Sequence, residues 1–251
     1  MTTESLYITG AGVSSESGIP TFRGADGFWS IGSENYTPQE MATRIMFENN
    51  PAEFLLWYYK RFAIYRNTMP NSVHRWLADK KLITQNIDGL DGKAGNKNYI
   101  SIHGRLDKVT LYHEQGINVE VLDAPWDDIK NECPDDNDKK KLTETLLDYF
   151  KISKVTLKPE KMISFKPFVL LFDEYYTDIY RMNIAEEWMK KSKKVVFLGT
   201  SFSVNITSIA LKYAIKNKAI IDIVDPNPIE LKIEHVNYFK MKASDYIKNH
   251  K

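Results

Sequence analysis

The sequence predicts a doubly wound α/β fold, in which a parallel β-sheet carries helices on both faces and a smaller lobe is inserted. Short runs of apolar and β-branched residues alternate with stretches of helical periodicity, which is typical of a parallel sheet covered on both sides. A glycine-rich segment follows the first of these runs, where a strand passes into a helix. The predicted strands are residues 6–9, 82–84, 195–199 and 219–224.

The glycine-rich segment is residues 10–24, GAGVSSESGIPTFRG. Gly10 and Gly12 permit a tight turn and a close approach of the backbone to a diphosphate, so this segment is a candidate phosphate site. A glycine turn serves tight strand-to-helix packing equally well, and the first three residues alone leave both interpretations open. The backbone N–H groups that we expect to point at phosphate oxygens are those of Ala11, Val13 and Ser14.

The remainder of this segment is polar and rich in turn residues, which core packing does not require. Ser14, Ser15 and Ser17 are followed by a Gly-Ile-Pro turn and then by Phe22 and Arg23. Arg23 offers a charged contact for a phosphate or a ribose. The whole segment therefore favours a phosphate-binding function over packing alone.

Composition excludes several classes of function. Lys and Arg together number 34 and Asp and Glu 33, so the chain has no strong field for nucleic acid or an anionic membrane. A hydrophobic content of 43% suffices for a buried core. We find neither a signal-like start nor an apolar run of bilayer length, and we expect a cytoplasmic protein without a membrane or nucleic-acid partner.

Several strings in the chain resemble, in order and at suitable separations, the motifs of the sirtuins, the NAD-dependent protein-lysine deacylases. The resemblance extends from about Leu6 to about Pro228 and fails only in the middle. It implies a Rossmann-like large lobe, NAD as cofactor and an acylated-lysine protein or peptide as substrate. The strings are GAGVSSESGIPTFRG, TQNIDGLDGKAG (84–95), SIHG (101–104), KPFVLLFDE (166–174) and GTSFSV (199–204).

His103 is the candidate catalytic base. Among five histidines it alone lies in a match to a family motif, SIHG, and the resemblance implies that it takes a proton from a ribose hydroxyl after nicotinamide has left. Asn86 is assigned to the catalytic set, and Gln85, Asn86 and Asp88 are expected to hold the ribose hydroxyls and the nicotinamide carboxamide. A simple Asn-Ile-Asp-Gly turn is compatible with that function.

Further cofactor contacts are expected from two other strand ends. Gly199, Thr200 and Ser201 close the predicted strand at 195–199 and resemble a second dinucleotide contact. Asp225 stands where the family usually has asparagine near the adenosine ribose. A carboxylate accepts two ribose hydroxyls and repels a ribose phosphate, so NAD is favoured over NADP, although Asp225 also suits the start of an Asp-Pro-Asn-Pro turn.

The substrate segment is less regular than the cofactor motifs. Residues 168–174 resemble the strand with which sirtuins pair the backbone of a substrate peptide, and the candidate contacts are Leu170, Phe172 and Glu174. Asp173 replaces a family glycine, which lowers the expectation of peptide binding. Asp91 likewise replaces a family histidine after NIDGL.

The acyl preference stays open between acetyl and succinyl or malonyl groups. Tyr58 and Arg61 have a spacing that places both on one helix face, and this pair resembles the one that binds acidic acyl groups in a sirtuin subgroup. A core tyrosine beside a surface arginine is the ordinary alternative. Tyr36 stands where that subgroup has a small residue.

The predicted lobes are built from several stretches of chain. The large lobe comprises about 1–24, 79–104 and 166–251, and the small lobe about 25–78 and 105–165. With one cysteine, Cys133, the chain has no disulfide and lacks the four-thiolate zinc module that the resemblance would place in the small lobe, so no metal is expected. We expect this lobe to hold together by packing of Val119, Val121, Leu122, Trp126, Leu142, Leu146, Leu147, Tyr149 and Phe150.

Two other functions are kept open. One is an NAD hydrolase or ADP-ribosyltransferase, which uses the same cleavage of the nicotinamide–ribose bond with a different acceptor. The other is a non-enzymatic NAD sensor, against which the presence of His103, Asn86 and Asp88 argues. The sequence predicts neither the physiological substrate nor the oligomeric state.

Overall fold

Strands and helices alternate along residues 5–21, 36–61 and 63–250, which are the residues that the computed structural model describes. The strands are β1 (Ser5–Thr9), β2 (Leu82–Thr84), β3 (Ile100–Ser101), β4 (Gly104–Leu111), β5 (Val121–Asp123), β6 (Phe165–Val169), β7 (Lys194–Leu198), β8 (Ile220–Val224) and β9 (Val236–Phe239). The helices are α1 (Ala11–Ser15), α2 (Pro38–Met41), α3 (Arg44–Asn49), α4 (Pro51–Arg61), α5 (Ser72–Trp76), α6 (Leu90–Lys93), α7 (Trp126–Glu132), α8 (Lys139–Tyr149), α9 (Met182–Lys191), α10 (Asn205–Lys216) and α11 (Ala243–Lys248).

The chain divides into two compact units. The first unit contains the described residues up to Thr21, then Thr68–Ile102, and everything from Tyr180 onward. The second unit contains the described residues between Tyr36 and Asn67, and then His103–Ile179. Within the described residues these limits differ from the predicted lobes at 68–78, 103–104 and 166–179.

The first unit is built on a parallel sheet with the strand order β3-β2-β1-β7-β8-β9. Central strand β1 pairs with β2 on one side and β7 on the other, so that Ile8 lies opposite both Ile83 and Phe197. Because the order of the strands along the chain reverses at β1, loops from both halves of the sheet diverge there, as in doubly wound dinucleotide-binding folds. The predicted fold class is confirmed. Of the strands in this sheet, the sequence prediction missed the short strand β3 and the edge strand β9.

Apolar residues bury the strands of this sheet, and one buried carboxylate fastens the last helix to it. Leu6 and Ile8 of β1 are fully buried. Asp222 in the middle of β8 receives hydrogen bonds from Tyr246 in α11 at 2.8 Å and from Asn237 in β9 at 2.8 Å. Lys194 of β7 adds an ion pair at 2.6 Å. The Asp222 carboxylate thus links α11 to the sheet and also contacts the two strands beside β8.

The second unit contains a three-stranded antiparallel sheet, ordered β5-β4-β6. Strand β6 pairs with β4, with Val109 opposite Pro167, and this pairing brings residues 166–179 into the second unit although we predicted them in the large lobe. Residues 68–78, predicted in the small lobe, belong to the first unit because α5 packs there, with Val73 in its core. Sequence periodicity identifies elements and does not show which unit an element joins.

Side chains packed around Trp126 form a core in the second unit. This core lies in the part of the sequence where the family resemblance would place a zinc module. The Trp126 ring lies 5.3 Å from Phe150 and 6.0 Å from Tyr59, measured between ring centroids. Its indole N–H donates to the Leu106 carbonyl at 2.7 Å. Leu142, Leu146 and Phe150 are fully buried as predicted, whereas Val121 is 38% exposed and does not belong to this core.

Cys133 is buried and its Sγ donates to the Asp135 carbonyl at 3.4 Å, within the turn between α7 and α8. In the described part of the chain there is no group of three or more His, Cys, Asp or Glu side chains that could hold a metal ion. A search of the same residues for a helix long and apolar enough to cross a membrane finds none.

Candidate functional site

The glycine turn after β1 makes a close backbone contact with the end of β7. Gly10 N–H donates to the Leu198 carbonyl and Gly12 N–H to the Gly199 carbonyl, both at 3.0 Å. A Cβ atom on Gly12 would lie 2.8 Å from the Gly199 Cα, and Gly199 itself has a φ of +57°. Side chains at these two positions would collide or strain the backbone. The turn is therefore fixed against the neighbouring strand.

One part of the phosphate-site prediction is wrong. Val13 N–H, which we expected to face phosphate, donates to the Gly10 carbonyl at 3.1 Å within the first turn of α1. The Val13 N–H therefore has a partner within the turn, and the Gly12 N–H has one in Gly199. Gly10, Ala11 and Ser14 stay predictions for the cofactor, and the predicted contacts of Phe22 and Arg23 lie outside the described residues.

Asn86, Ser14 and Asp88 form a hydrogen-bonded cluster where β1 and β2 end. The Asn86 side-chain amide donates to the Gly10 carbonyl and to Ser14 Oγ, both at 3.0 Å. Ser14 Oγ donates to Asp88 Oδ2 at 2.6 Å, and Asp88 Oδ1 accepts from Leu90 N–H at 2.9 Å. Three predicted site residues are thus brought together, and Asp88 also forms the turn that its sequence predicted.

His74 belongs to this cluster, although its sequence context did not indicate it. Its Nδ1 accepts from Asn71 N–H at 3.3 Å, which leaves the proton on Nε2, 3.4 Å from Ser14 Oγ. Burial, with a smaller effect from Arg75, lowers the pKa of His74 to about 4, so the ring is neutral at pH 7. It acts as a hydrogen-bond donor to Ser14.

Gln85 and Thr200 connect the ends of β1, β2 and β7. The Gln85 side-chain amide donates to the Thr9 carbonyl and to Thr200 Oγ1, both at 3.1 Å. Ser201 and Ser203 are hydrogen-bonded to each other through their hydroxyls at 2.9 Å. These predicted cofactor residues therefore lie along one edge of the sheet.

Asp225 lies at the end of β8 on the same edge, and its Oδ1 accepts from Asn227 N–H at 2.8 Å. This contact agrees with the interpretation of Asp225 as the first residue of an Asp-Pro-Asn-Pro turn. A ribose contact through its other oxygen stays a prediction.

Asp91 is a buried carboxyl group close to this cluster. Its exposed fraction is 2%, and within the described part of the chain Oδ1 has no hydrogen-bond partner. Burial, and then the negative charge of Asp88, raise the pKa of Asp91 to about 7, and a hydrogen bond from Thr84 works in the opposite direction. The group is therefore much more readily protonated than an ordinary aspartate.

His103 begins the second unit, directly before β4. Its Nε2 lies 3.0 Å from the Tyr176 hydroxyl, and the two rings are nearly parallel, with centroids 5.9 Å apart. The His103 carbonyl accepts from Leu170 N–H at 2.9 Å. Gly104 has a φ of +81°, and a Cβ there would lie 2.0 Å from the Phe168 carbonyl oxygen, so only glycine fits after this histidine. Sequence analysis missed Tyr176, since no motif contains it.

The predicted peptide segment is anchored from both sides. Leu170 N–H bonds to His103, and Phe172 N–H donates to the Ala42 carbonyl at 3.0 Å while its side chain is 56% exposed. Asp173, which replaces a family glycine, accepts from Arg44 N–H at 2.6 Å and from Ile45 N–H at 3.0 Å. Its carboxylate caps the N-terminus of α3, which satisfies two of the N–H groups that a helix leaves unpaired.

Glu174 is buried in an ion-pair network beneath this segment. Its carboxylate contacts Lys166 Nζ at 3.1 Å and Arg44 at 3.1 Å, and it accepts from Leu171 N–H at 3.0 Å. Burial lowers the pKa of Lys166, and Glu174 opposes that effect. The Glu174 side chain thus supports the shape of the segment, and its predicted contact with substrate stays untested.

Tyr58 and Arg61 both lie on α4, and they differ in exposure. Tyr58 is buried and stacks on Phe54 with 4.7 Å between ring centroids. Burial, and then the charge of Glu174, raise the pKa of Tyr58. Arg61 at the end of the helix is half-buried, and its burial lowers the pKa of the guanidinium. The predicted acyl-binding role of this pair is neither supported nor opposed by these contacts.

The groups on the sheet edge of the first unit suit a dinucleotide. They comprise a glycine turn fixed against β7, side-chain amides and hydroxyls, and a carboxylate at the end of β8. Backbone turns of this kind accommodate diphosphates, and amides and carboxylates bind ribose hydroxyls. Fold and site together define a dinucleotide-binding α/β protein.

The chain belongs to the Sir2 family, whose sequence profile matches residues 10–206. An NAD-dependent protein deacylase of Leptospira interrogans serovar Lai is 31% identical over 227 residues, which are 87% of this chain and 80% of that protein. NAD-dependent protein deacylase 1 of Caldanaerobacter subterraneus subsp. tengcongensis is 44% identical over 138 residues, 51% of this chain. The matched region spans only about half of several curated relatives, 54%, 52% and 45% of their lengths.

Solved structures agree with this membership. A Sir2 homologue in complex with NAD has a TM-score of 0.71 and 26% identity, covering 99% of this chain and 88% of that chain. A mutant Sir2 homologue in complex with 2'-O-acetyl ADP-ribose has a TM-score of 0.71 and 27% identity, covering 99% and 90%.

Proposed function

We propose that this protein is an NAD-dependent protein-lysine deacylase, which moves an acyl group from lysine to ADP-ribose and releases nicotinamide. The observation that carries the proposal is the Sir2-family match over residues 10–206, which contains both the Asn86 cluster and His103. Relatives named as NAD-dependent protein deacylases support the reaction type. A similar structure that holds acetyl ADP-ribose supports ADP-ribose as the acyl acceptor.

The first unit would bind the cofactor with the residues of its sheet edge. NAD, when bound, supplies a ribose carbon that is open to attack once nicotinamide leaves. The turn at Gly10 and Gly12 would receive the diphosphate, and Asn86 and Asp88 would orient the ribose and carboxamide. Gln85, Thr200, Ser201 and Asp225, with the backbone at Gly199, belong to the same proposed set of cofactor ligands.

In the second unit, His103 would accept a proton from a ribose hydroxyl. A base needs one unprotonated ring nitrogen, and when this is Nε2 the Tyr176 hydroxyl donates to it across 3.0 Å. Leu170 and Phe172 lie on the segment proposed to pair with the backbone of the acylated peptide. Because Asp173 caps α3, its side chain is engaged with Arg44 and Ile45.

The test combines product analysis with removal of the base. Purified protein is incubated with NAD, with and without acetyl-lysine and succinyl-lysine forms of one peptide, and nicotinamide and acyl-ADP-ribose are measured by mass spectrometry. His103→Ala is expected to lower the rate roughly a hundredfold or more while NAD binding is retained. The control is His235→Ala, a histidine whose side chain is 81% exposed.

Three outcomes would contradict the proposal. His103→Ala could retain more than about a tenth of the wild-type rate, which is incompatible with loss of a general base. Nicotinamide release without any need for an acylated peptide would indicate the NAD hydrolase or ADP-ribosyltransferase alternative. Binding of NAD without turnover would indicate a sensor.

We further propose that Arg61 contributes to acyl choice. A carboxylate on a succinyl group would form a charge-assisted pair with the guanidinium, which an acetyl group lacks. Arg61→Met should therefore lower kcat/KM for the succinyl peptide far more than for the acetyl peptide. An unchanged ratio would make Arg61 a packing residue, and a wild-type preference for acetyl would agree with closure of the pocket by Tyr36.

We also propose that the fold is independent of zinc. The Trp126 core and the Cys133 turn occupy the part of the sequence where the family usually has its zinc module. Elemental analysis after dialysis against chelator should find less than one equivalent of zinc, and melting temperatures with and without chelator should agree. One retained equivalent would show that histidine and carboxylate ligands had been recruited.

A further inference from the structure

Helix α1, which begins after Gly10 and contains Ser14, is too short to hold itself in place. It has five residues, and an isolated helix of that length is not stable in water. Its position therefore depends on contacts with other elements. At its start the Gly10 carbonyl accepts from the Asn86 side chain, and in its middle the Ser14 hydroxyl contacts Asn86 and His74.

Asn71, the N-cap residue of α5, holds the other end of α1. Its side-chain nitrogen donates to the Val13 carbonyl at 2.8 Å and to Ser17 Oγ at 3.0 Å. Val13 lies in α1, and Ser17 lies two residues beyond the end of this helix. A side-chain amide has two N–H groups to donate, and both are used here. Helix α1 is therefore fastened by Asn86 at its start and by Asn71 at its end.

Capping of α5 does not require the amide nitrogen of Asn71. The cap contacts use the other half of the side chain, because Oδ1 accepts from Val73 N–H at 2.9 Å and from His74 N–H at 3.4 Å. Aspartate and serine cap helices about as well as asparagine does, and Asp138 caps α8 with a carboxylate oxygen. The nitrogen half of Asn71 is therefore explained by its contacts with α1 and with the residue after it.

The first turn of α5 contacts α1 at a second point, which leads to the proposed cofactor ligands. His74 is fully buried, and its Nε2 lies 3.4 Å from Ser14 Oγ. The same Ser14 hydroxyl accepts from Asn86 and donates to Asp88. A shift of α1 away from α5 would therefore disturb the contacts of both Asn86 and Asp88.

We propose that Asn71 is a positioning residue for cofactor binding, whose amide nitrogen holds α1 against α5 so that the turn at Gly10 and the Ser14 cluster keep the geometry that receives NAD. This inference rests on the proposed function, which supplies the cofactor ligands. Asn71 acts through the Val13 carbonyl and the Ser17 hydroxyl and is not itself one of the proposed ligands.

The first experiment measures calorimetric binding of NAD and of ADP-ribose to full-length variants. Asn71→Asp keeps the cap oxygen and replaces the nitrogen that donates to Val13 and Ser17 by an acceptor. We expect binding roughly tenfold weaker or more, the range for a buried polar group that loses its partner. Asn71→Ser also keeps a cap and adds no charge, so its affinity should lie between those of wild type and Asn71→Asp. Wild-type affinity in Asn71→Asp would overturn the inference.

The matched control is Asp138→Ala, which removes the helix cap of α8 in the second unit. It should lower the melting temperature and leave the affinity for NAD unchanged. A loss of NAD affinity in Asp138→Ala as large as that in Asn71→Ser would show that any lost helix cap has this effect, and would overturn the inference.

Steady-state kinetics well below the melting temperature separate positioning from loss of folded protein. In Asn71→Ser, KM for NAD should rise several-fold, while KM for the acylated peptide and kcat at saturating NAD should stay close to wild-type values. A smaller amount of folded protein would instead lower the apparent kcat and leave KM for NAD unchanged. That second result would overturn the inference.

Amide hydrogen exchange in the cofactor-free protein gives a readout that does not depend on turnover. The N–H groups of Val13 and Ser17, which donate to the carbonyls of Gly10 and Ser14, should exchange several-fold faster in Asn71→Asp than in wild type. Amides of β7 should stay unchanged. Equal exchange at Val13 and Ser17 would overturn the inference. Failure of the wild-type protein to bind NAD at all, with exchange altered as expected, would instead overturn the proposed function.

Discussion

Two buried polar clusters, one in each unit, neutralise their charges in opposite ways. In the second unit Glu174 lies between two cations, Lys166 and Arg44, and all three side chains are at most 11% exposed. In the first unit Asp91 faces the charge of another carboxylate, Asp88, and the described contacts of Asp91 include no cation. In the first arrangement every cation has an anion, since Arg44 also pairs with Glu48 at 2.9 Å. In the second the pKa of Asp91 is raised instead, which makes its charge easier to lose.

This difference in charge compensation corresponds to a difference in the role of the two clusters. A compensated ion network stabilises a shape, here the segment that we propose for peptide pairing. A cluster of amides, hydroxyls and a carboxyl group of raised pKa leaves hydrogen-bonding groups at the edge of the parallel sheet where a ligand is expected. Each prediction below changes one of these clusters or a group next to it.

The largest expected effect comes from Glu174→Gln. This change leaves the buried cation Lys166 without its anion, while Arg44 keeps its pair with Glu48 at 2.9 Å. Breaking a buried ion pair in this way costs about 3–5 kcal/mol. Denaturant unfolding would measure the loss. The control is Glu186→Gln, which removes an exposed pair with Lys190 at 3.1 Å and should cost less than about 1 kcal/mol. Equal losses of unfolding free energy in Glu174→Gln and Glu186→Gln would show that the Glu174 network is exposed to solvent.

Asp91→Asn should stabilise the protein at pH 8. The pKa of about 7 in the folded protein lies above the ordinary value of 3.8 for an aspartate, so the wild-type protein loses stability as pH rises from about 4 to 7. Asparagine cannot ionise and avoids this loss. The free energy of unfolding of Asp91→Asn, relative to wild type, should therefore increase between about pH 4 and 7 and stay constant above pH 7. The increase should reach at most roughly 4 kcal/mol, at about 1.4 kcal/mol per pKa unit.

Thermal or denaturant unfolding of both proteins at pH 4, 6 and 8 checks this prediction. His74 contributes no charge in the range above pH 5, because its pKa is about 4. A constant difference between the two proteins at all three pH values would mean that Asp91 is ionised throughout.

Tyr176→Phe is expected to lower kcat several-fold, equivalent to about 1 kcal/mol, the typical net value of a hydrogen bond. The variant keeps the stacked ring and removes the hydroxyl that lies 3.0 Å from His103 Nε2. KM for NAD should change little, and the pH dependence of kcat should shift. Identical pH profiles and kcat would show that stacking alone orients the imidazole.

The smallest effect is expected from Asp173→Ala, which removes the two carboxylate contacts at the start of α3. Loss of a helix cap costs about 1 kcal/mol. The same variant should raise KM for the peptide, because the adjacent Phe172 would be less well held, and leave NAD affinity unchanged. A lowered KM would indicate that the Asp173 side chain obstructs the peptide after all.

Local sequence determined much of the first unit. The strands β1, β2, β7 and β8 were predicted to within a residue or so at each end, because apolar runs between turn residues satisfy strand preferences locally. The turn at Gly10 and the Asn86–Asp88 loop follow directly after strands, so their place at the sheet edge follows from strand direction alone. The same reasoning missed β9, which is a partly exposed edge strand with no apolar run.

Only the tertiary structure decided the contacts between residues far apart in the chain. Asp173 caps a helix 129 positions earlier, Tyr176 meets His103 across 73 positions, and His74 reaches Ser14 across 60. The pairing of β6 with β4 likewise decided which unit β6 belongs to. Propensity and spacing act over a few residues, whereas these partners are selected by the burial and hydrogen bonding of the whole chain, which no local pattern records.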